Sequence, residues 1–293
     1  MRSEKEMMDL ILGVAQRDER IRAVYMTGSR ANPDAPKDIF QDYDVVYVVE
    51  ETASLIREKN WIRVFGDLLM LQEPDKNDKL DVNVDFDRSY AYLMLFADGN
   101  RLDLRLQTKE AMREEYGKDK LAVPLMDKDG CLPPVPPPTD SEYHVKRPTE
   151  QHFLRCCNNF WWCLQNVAKG IWRDELPYAK HMFESVVRLE LDEMVSWWIG
   201  TRRDFRVSMG KMGKYFKKYL PTPYWDMYRA TYSDADLDNF WDSVFAACSL
   251  FRTLAKEVAD ALSFPYPADD DANMTKYLKR VRNLPADATG IFD

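Results

Sequence analysis

Apolar residues in the first half of the chain recur with two different periods. Over residues 3–16 they return at helical spacing, and Ser3 and Glu6 stand where a capping box would start that helix. Residues 21–27 and 44–49 are short apolar runs that predict strands, the second so continuous that both its faces should be buried. Asp98-Gly99-Asn100 is a turn signal between two further strands, residues 89–97 and 101–107. Alternation in the last of these puts Leu102, Leu104 and Leu106 on one face and Asp103 and Arg105 on the other. The run Pro133-Pro134-Val135-Pro136-Pro137-Pro138 forbids helix or central strand and predicts a stiff, extended connection between domains.

Beyond Pro148 the period becomes helical. Phe153, Cys157, Phe160, Trp161, Leu164 and Ala168 recur every three or four residues. Residues 178–199, 209–219 and 234–262 are the next predicted helices. No internal repeat is visible, and the pattern weakens from Leu284, where fraying is expected.

Composition narrows the class without naming it. The chain has 293 residues, 45% hydrophobic and 31% charged, enough for two ordinary globular domains. It has no apolar run long enough for a transmembrane helix, and Met1-Arg2-Ser3-Glu4-Lys5-Glu6 lacks a secretory apolar core, so no membrane association and a cytoplasmic location are expected. Five cysteines at non-zinc spacings, Cys131, Cys156, Cys157, Cys163 and Cys248, read as reduced core residues. His152 and Cys156 are one helical turn apart, but two ligands do not make a structural metal site. A net charge of −8 argues against a nucleic-acid partner and suits a cationic small molecule. The sequence says little about oligomeric state; a monomer is one reading.

The strand signals carry the chemistry. Gly28 and Ser29 follow the first strand, and Asp42-Tyr43-Asp44 opens the second. Asp42 and Asp44 point to the same face of a strand. Two carboxylates ~5 Å apart repel by about 3 kcal/mol at an effective dielectric near 20, and a divalent cation removes that penalty. Asp103 offers a third carboxylate; the plain alternative is a solvated strand face with Arg105 as its ion-pair partner.

These residues resemble the DNA polymerase beta-like nucleotidyltransferase superfamily, whose pattern is G-S, a gap, D-x-D and a third acid on a later strand. Within it the chain is similar to the aminoglycoside 6-adenylyltransferases, which modify streptomycin. The supporting stretches are Gly28-Ser29-Arg30, Phe40-Gln41-Asp42-Tyr43-Asp44, Asp98 to Asp103, Lys146-Arg147-Pro148-Thr149 and Ser208-Met209-Gly210-Lys211. The resemblance implies ATP as co-substrate, Mg2+ as cofactor and transfer of AMP to the 6-hydroxyl of streptomycin. It implies an α+β fold: a nucleotidyltransferase domain with a mixed sheet over residues 1–140, then an all-α helical bundle over residues 141–293 that closes on substrate and nucleotide.

Several site expectations follow. Asp42, Asp44 and Asp103 are candidate metal ligands, and Asp103 is also a candidate base. Gly28 and Ser29 are candidate phosphate donors, with Arg30 as either a charged nucleotide contact or a surface residue. Lys211 and Lys214, three apart, would share a helix face and close over the triphosphate; the alternative is a solvated basic helix extended by Lys217 and Lys218. Glu190 interrupts an apolar stripe of Phe183, Val187, Met194 and Trp198. A buried unpaired carboxylate is costly, so Glu190 either contacts a streptomycin guanidinium, serves as base in place of Asp103, or pairs with an arginine on a neighbouring helix. The tryptophans at 161, 162, 197 and 198 read mostly as core, with one free to line a substrate pocket, and the scattered histidines support no catalytic role. Competing functions are adenylylation of another aminocyclitol or of a protein, and nucleotide binding without transfer.

Overall fold

The computed structural model describes residues 1–77 and 85–292. Two compact units divide the chain, Met1–Glu142 and Tyr143–Asp293. The Pro133–Pro138 run has no regular structure and lies inside the first unit.

Helix α1 (Glu4–Arg17) starts as expected: the Ser3 side chain accepts from the Glu6 N–H and the Glu6 carboxylate accepts in return. Strand β1 (Ile21–Met26) leads into the one-turn helix α2 (Gly28–Ala31), and β2 (Tyr43–Val49) follows. Helix α3 (Ala53–Arg57), a 3-10 turn (Trp61–Phe65), β3 (Leu68–Gln72) and α4 (Pro74–Asn77) come next. Strands β4 (Ser89–Phe96) and β5 (Arg101–Thr108) form the expected hairpin, followed by α5 (Lys109–Glu115) and β6 (Val123–Asp127). The sheet order is β3-β4-β5-β2-β1-β6. Among the described residues only β2 and β5 run parallel; the other pairs are antiparallel, so the sheet is mixed.

Both faces of β2 are covered, as its apolar run requires. Val45, Tyr47 and Val49 pack with α1 and with Leu102, Leu104 and Leu106 of β5. Val46 and Val48 pack on the other face with Ala23, Tyr25 and Met112. The acid-bearing positions belong to this second face, and the core on the first face fixes the register that places them.

The second unit is helical apart from one bridge between His144 and Ser208. Helix α6 (Glu150–Trp172) buries the whole predicted stripe. A continuous helical run follows: α7 (Leu176–Met182), a π-helical turn (Phe183–Val187) and α8 (Arg188–Thr201). Short helices α9 (Phe216–Tyr219) and α10 (Thr222–Arg229) precede α11 (Leu237–Leu262), capped by Asp236, and α12 (Ala268–Arg282). One apolar cluster drawn from α6, α8 and α11 is the core of this unit. No described helix is long and apolar enough to cross a membrane.

Two helix expectations need correction. Residues 209–219 are not a helix. Gly210, Met212 and Gly213 all have positive φ (66°, 56° and 71°), so the chain turns through a 3-10 segment and only Phe216–Tyr219 is α-helical. Left-handed residues cannot propagate an α-helix. The sequence pattern also left α12 unassigned, although Met274, Tyr277, Leu278 and Val281 have helical spacing, its first turn is acidic and its last is basic.

Candidate active site

The site is built where β1 ends beside β2. The Thr27 N–H donates to the Asp44 carbonyl at 2.9 Å, tying the turn to the acid-bearing strand. Gly28 follows with φ +69°. A Cβ there would lie 2.0 Å from Asp44 Oδ2, so the carboxylate occupies the space any other residue would fill. The glycine predicted for close phosphate approach is therefore demanded by an acid of the site itself. Ser29 is half-buried in the first turn of α2.

Arg30 faces inward. Its Nε donates to the Asp42 carbonyl at 2.9 Å and its Nη2 to the Gln41 carbonyl at 2.8 Å. The guanidinium stacks 3.7 Å from the Tyr43 ring centre, and Nη1 lies 3.5 Å from Glu4. These contacts clamp the backbone on which Asp42 sits, one residue ahead of β2.

The parallel pairing sets Asp44 opposite Asp103. Asp42, Asp44 and Asp103 each bring one carboxylate oxygen to within 4.8 Å of the others. A cavity of about 210 Å³ opens beside Asp44 and Asp103, walled by Thr27, Ala91, Leu93 and Arg105. Burial, then the charges of Asp42 and Asp103, push the Asp44 carboxyl up to about 7. Three like charges held this closely call for a cation. The donors are all hard carboxylate oxygens, without thiolate or imidazole, the donor type that suits Mg2+.

Asp103 has a partner that sequence reasoning missed. Arg105 was its partner only in the plain alternative; Arg101 takes that role, Nε donating to Oδ1 at 2.7 Å and Nη2 to Oδ2 at 2.6 Å. Its Nε also lies 3.9 Å from Asp42 Oδ2. The signal was present: two residues upstream along a strand is the same face as two residues downstream.

The remaining candidates are in the second unit, described by itself. Phe183, Val187, Met194 and Trp198 are all buried, and the Glu190 side chain among them is 12% exposed. Its Oε1 accepts from Asn159 Nδ2 at 3.1 Å and lies 3.6 Å from Arg155 Nη1, the neighbouring-helix arginine of the plain alternative. Its Oε2 is buried with no hydrogen-bond partner among the described residues. Arg155 also reaches Glu193 at 3.4 Å. Lys211 and Lys214 are exposed, but the broken helix means they do not share a helix face; they flank an exposed turn whose tip is Met212. Trp161, Trp197 and Trp198 are buried, while Trp162 is 65% exposed and lines a cavity of about 470 Å³ with Asn158, Asp270 and Tyr277. All five cysteines are free; Cys156, Cys157 and Cys248 are buried, and Cys131 and Cys163 only partly so.

Comparison with known proteins identifies the family. A family model described as streptomycin adenylyltransferase matches residues 1–281. An aminoglycoside 6-adenylyltransferase of Campylobacter jejuni is 38% identical over 271 residues, 92% of this chain and 93% of that protein. One from Bacillus subtilis (strain 168) is 38% identical over 282 residues, 96% and 98% of the two chains. The crystal structure of an aminoglycoside 6-adenyltransferase from Bacillus subtilis covers 97% of this chain and 100% of its own, at 34% identity and a TM-score of 0.48. With its carboxylate triad and a family match along nearly its whole length, the chain belongs to the streptomycin adenylyltransferase family and is a nucleotidyltransferase enzyme.

Proposed function

We propose that this enzyme transfers AMP from ATP to the 6-hydroxyl of streptomycin, at the site formed by Asp42, Asp44 and Asp103. The observation that carries this reading is the triad itself: three carboxylate oxygens from three backbone positions within 4.8 Å. In the reaction the hydroxyl oxygen forms a bond to the α-phosphorus. The bond from that phosphorus to the bridging oxygen breaks, pyrophosphate leaves, and the hydroxyl proton passes to a carboxylate. Such a transfer needs positioning and charge neutralisation more than covalent help from the protein.

Asp42, Asp44 and Asp103 would hold Mg2+, which when bound neutralises charge on the phosphate oxygens. Gly28 and Ser29 offer backbone and hydroxyl donors to a phosphate. Arg30 serves the nucleotide site indirectly, by fixing the carbonyls of Gln41 and Asp42. Asp103 is the first candidate to accept the proton, being a triad member on the cavity wall. Glu190 is the second, and its unpartnered Oε2 equally suits a guanidinium of streptomycin. Lys211 and Lys214 are assigned to the triphosphate from an exposed turn, where each would act alone.

Incubation with ATP and streptomycin, followed by mass spectrometry of the antibiotic, should show one added AMP on the 6-hydroxyl. Asp42→Asn and Asp44→Asn should each lower kcat by at least a thousandfold while the circular dichroism spectrum stays native. Near-normal transfer by either variant would refute the triad assignment.

A further inference from the structure

We propose that Arg101 is an exchangeable counter-ion of the triad: it sits on Asp103 in the nucleotide-free protein and moves to the nucleotide's phosphates when metal arrives. The idea rests on the metal-binding reading of Asp42, Asp44 and Asp103. Three observations support it. The guanidinium fork takes both oxygens of Asp103, at 2.7 and 2.6 Å, and approaches Asp42 at 3.9 Å. A divalent ion using Asp103 would therefore compete with the fork for the same two oxygens. The Arg101 side chain is 49% exposed, against 17% for Asp103, so the arginine has solvent to swing into and the acid does not. Finally, the backbone ahead of Arg101 is pinned. Asp98 accepts from Arg2 Nε at 2.7 Å and from Asn100 Nδ2 at 3.0 Å, and Asn100 Nδ2 also donates to the Arg2 carbonyl at 3.2 Å. The exchange needs only the Arg101 side chain to move.

The chemistry of exchange is favourable. A guanidinium binds carboxylate and phosphate through the same two-point geometry, so a fork released from Asp103 is already shaped for a phosphate. The protein would keep its acids neutralised before substrate arrives. Metal loading would then deliver a cation to the nucleotide.

Opposite signs in two measurements test this. Mn2+ binding without nucleotide, followed by electron paramagnetic resonance, should be roughly three- to tenfold tighter in Arg101→Gln, because a competing half-exposed ion pair is gone. The KM for ATP of the same variant should rise by roughly three- to tenfold. Arg105→Gln removes the same charge from the same strand face without breaking a fork to Asp103, and controls for general electrostatics. Arg101→Lys keeps the charge but not the two-point geometry and should fall between wild type and Arg101→Gln in both assays. Mn2+ affinity within twofold of the Arg105→Gln value, or an unchanged KM for ATP, overturns the exchange. Asp42→Asn separates the two readings: if it binds Mn2+ like wild type, the metal assignment itself has failed.

Discussion

Asp44 shows how one residue's surroundings set both stability and chemistry. Its carboxyl is pushed up to about 7 by burial and by Asp42 and Asp103, against 3.8 in an exposed chain. A raised carboxyl favours the folded state only while protonated. Its contribution is complete below pH ~4, declines as pH rises, and is gone above pH ~7. The upper bound is on the order of 4 kcal/mol for about three units. Two outcomes follow for the nucleotide-free, metal-free protein. Asp44→Asn should raise Tm by several degrees at pH 8 and by little at pH 4. Mg2+ should stabilise wild type more at pH 8 than at pH 6, since the ion competes with a proton. Thermal melts across that range check both; a lower Tm for Asp44→Asn at pH 8 would contradict the strain assigned to this site. Gly28 belongs to the same scale, because Asp44 Oδ2 sits where its Cβ would be.

At the scale of elements, the informative case is the turn after Ser208. Polar and apolar spacing over residues 209–219 imitates a helix, yet the backbone leaves the helical region at Gly210, Met212 and Gly213. A Cβ at Gly213 would meet the Phe216 ring at 2.5 Å, and its φ is +71°. Gly213→Ala, which raises helix propensity, should therefore destabilise by at least 1–2 kcal/mol, about the cost of forcing an alanine left-handed. Chemical denaturation measures this; a stabilised variant would show that residues 209–219 are helical after all. Strand β5 is the opposite case. Its alternation put Leu102, Leu104 and Leu106 in the core, all 0% exposed, while Gln107 on the other face is buried as well, held by Tyr25 and Glu115.

On the scale of the whole molecule, the triad lies entirely within the first unit, which has its own two-sided core. Residues 1–142 expressed alone are expected to fold cooperatively and to bind Mn2+ without transferring AMP. Absence of a cooperative melt would show that this core is insufficient by itself. Much of this was legible beforehand. The capping box at Ser3, the buried run of β2, the hairpin at Gly99 and the stripe of α6 depend on spacing and local backbone chemistry, which a sequence states directly. So did the acidic identity of the site, because strand alternation alone puts Asp42 beside Asp44. Three things depended on tertiary structure. The parallel pairing of β2 with β5 set Asp44 against Asp103. Arg101 rather than Arg105 became the partner, since two positions flank the acid equally and only packing breaks that symmetry. Arg155 and Asn159 were brought to Glu190 from another helix. Sequence fixes what lies on one face of one element; which faces meet is decided when the cores close.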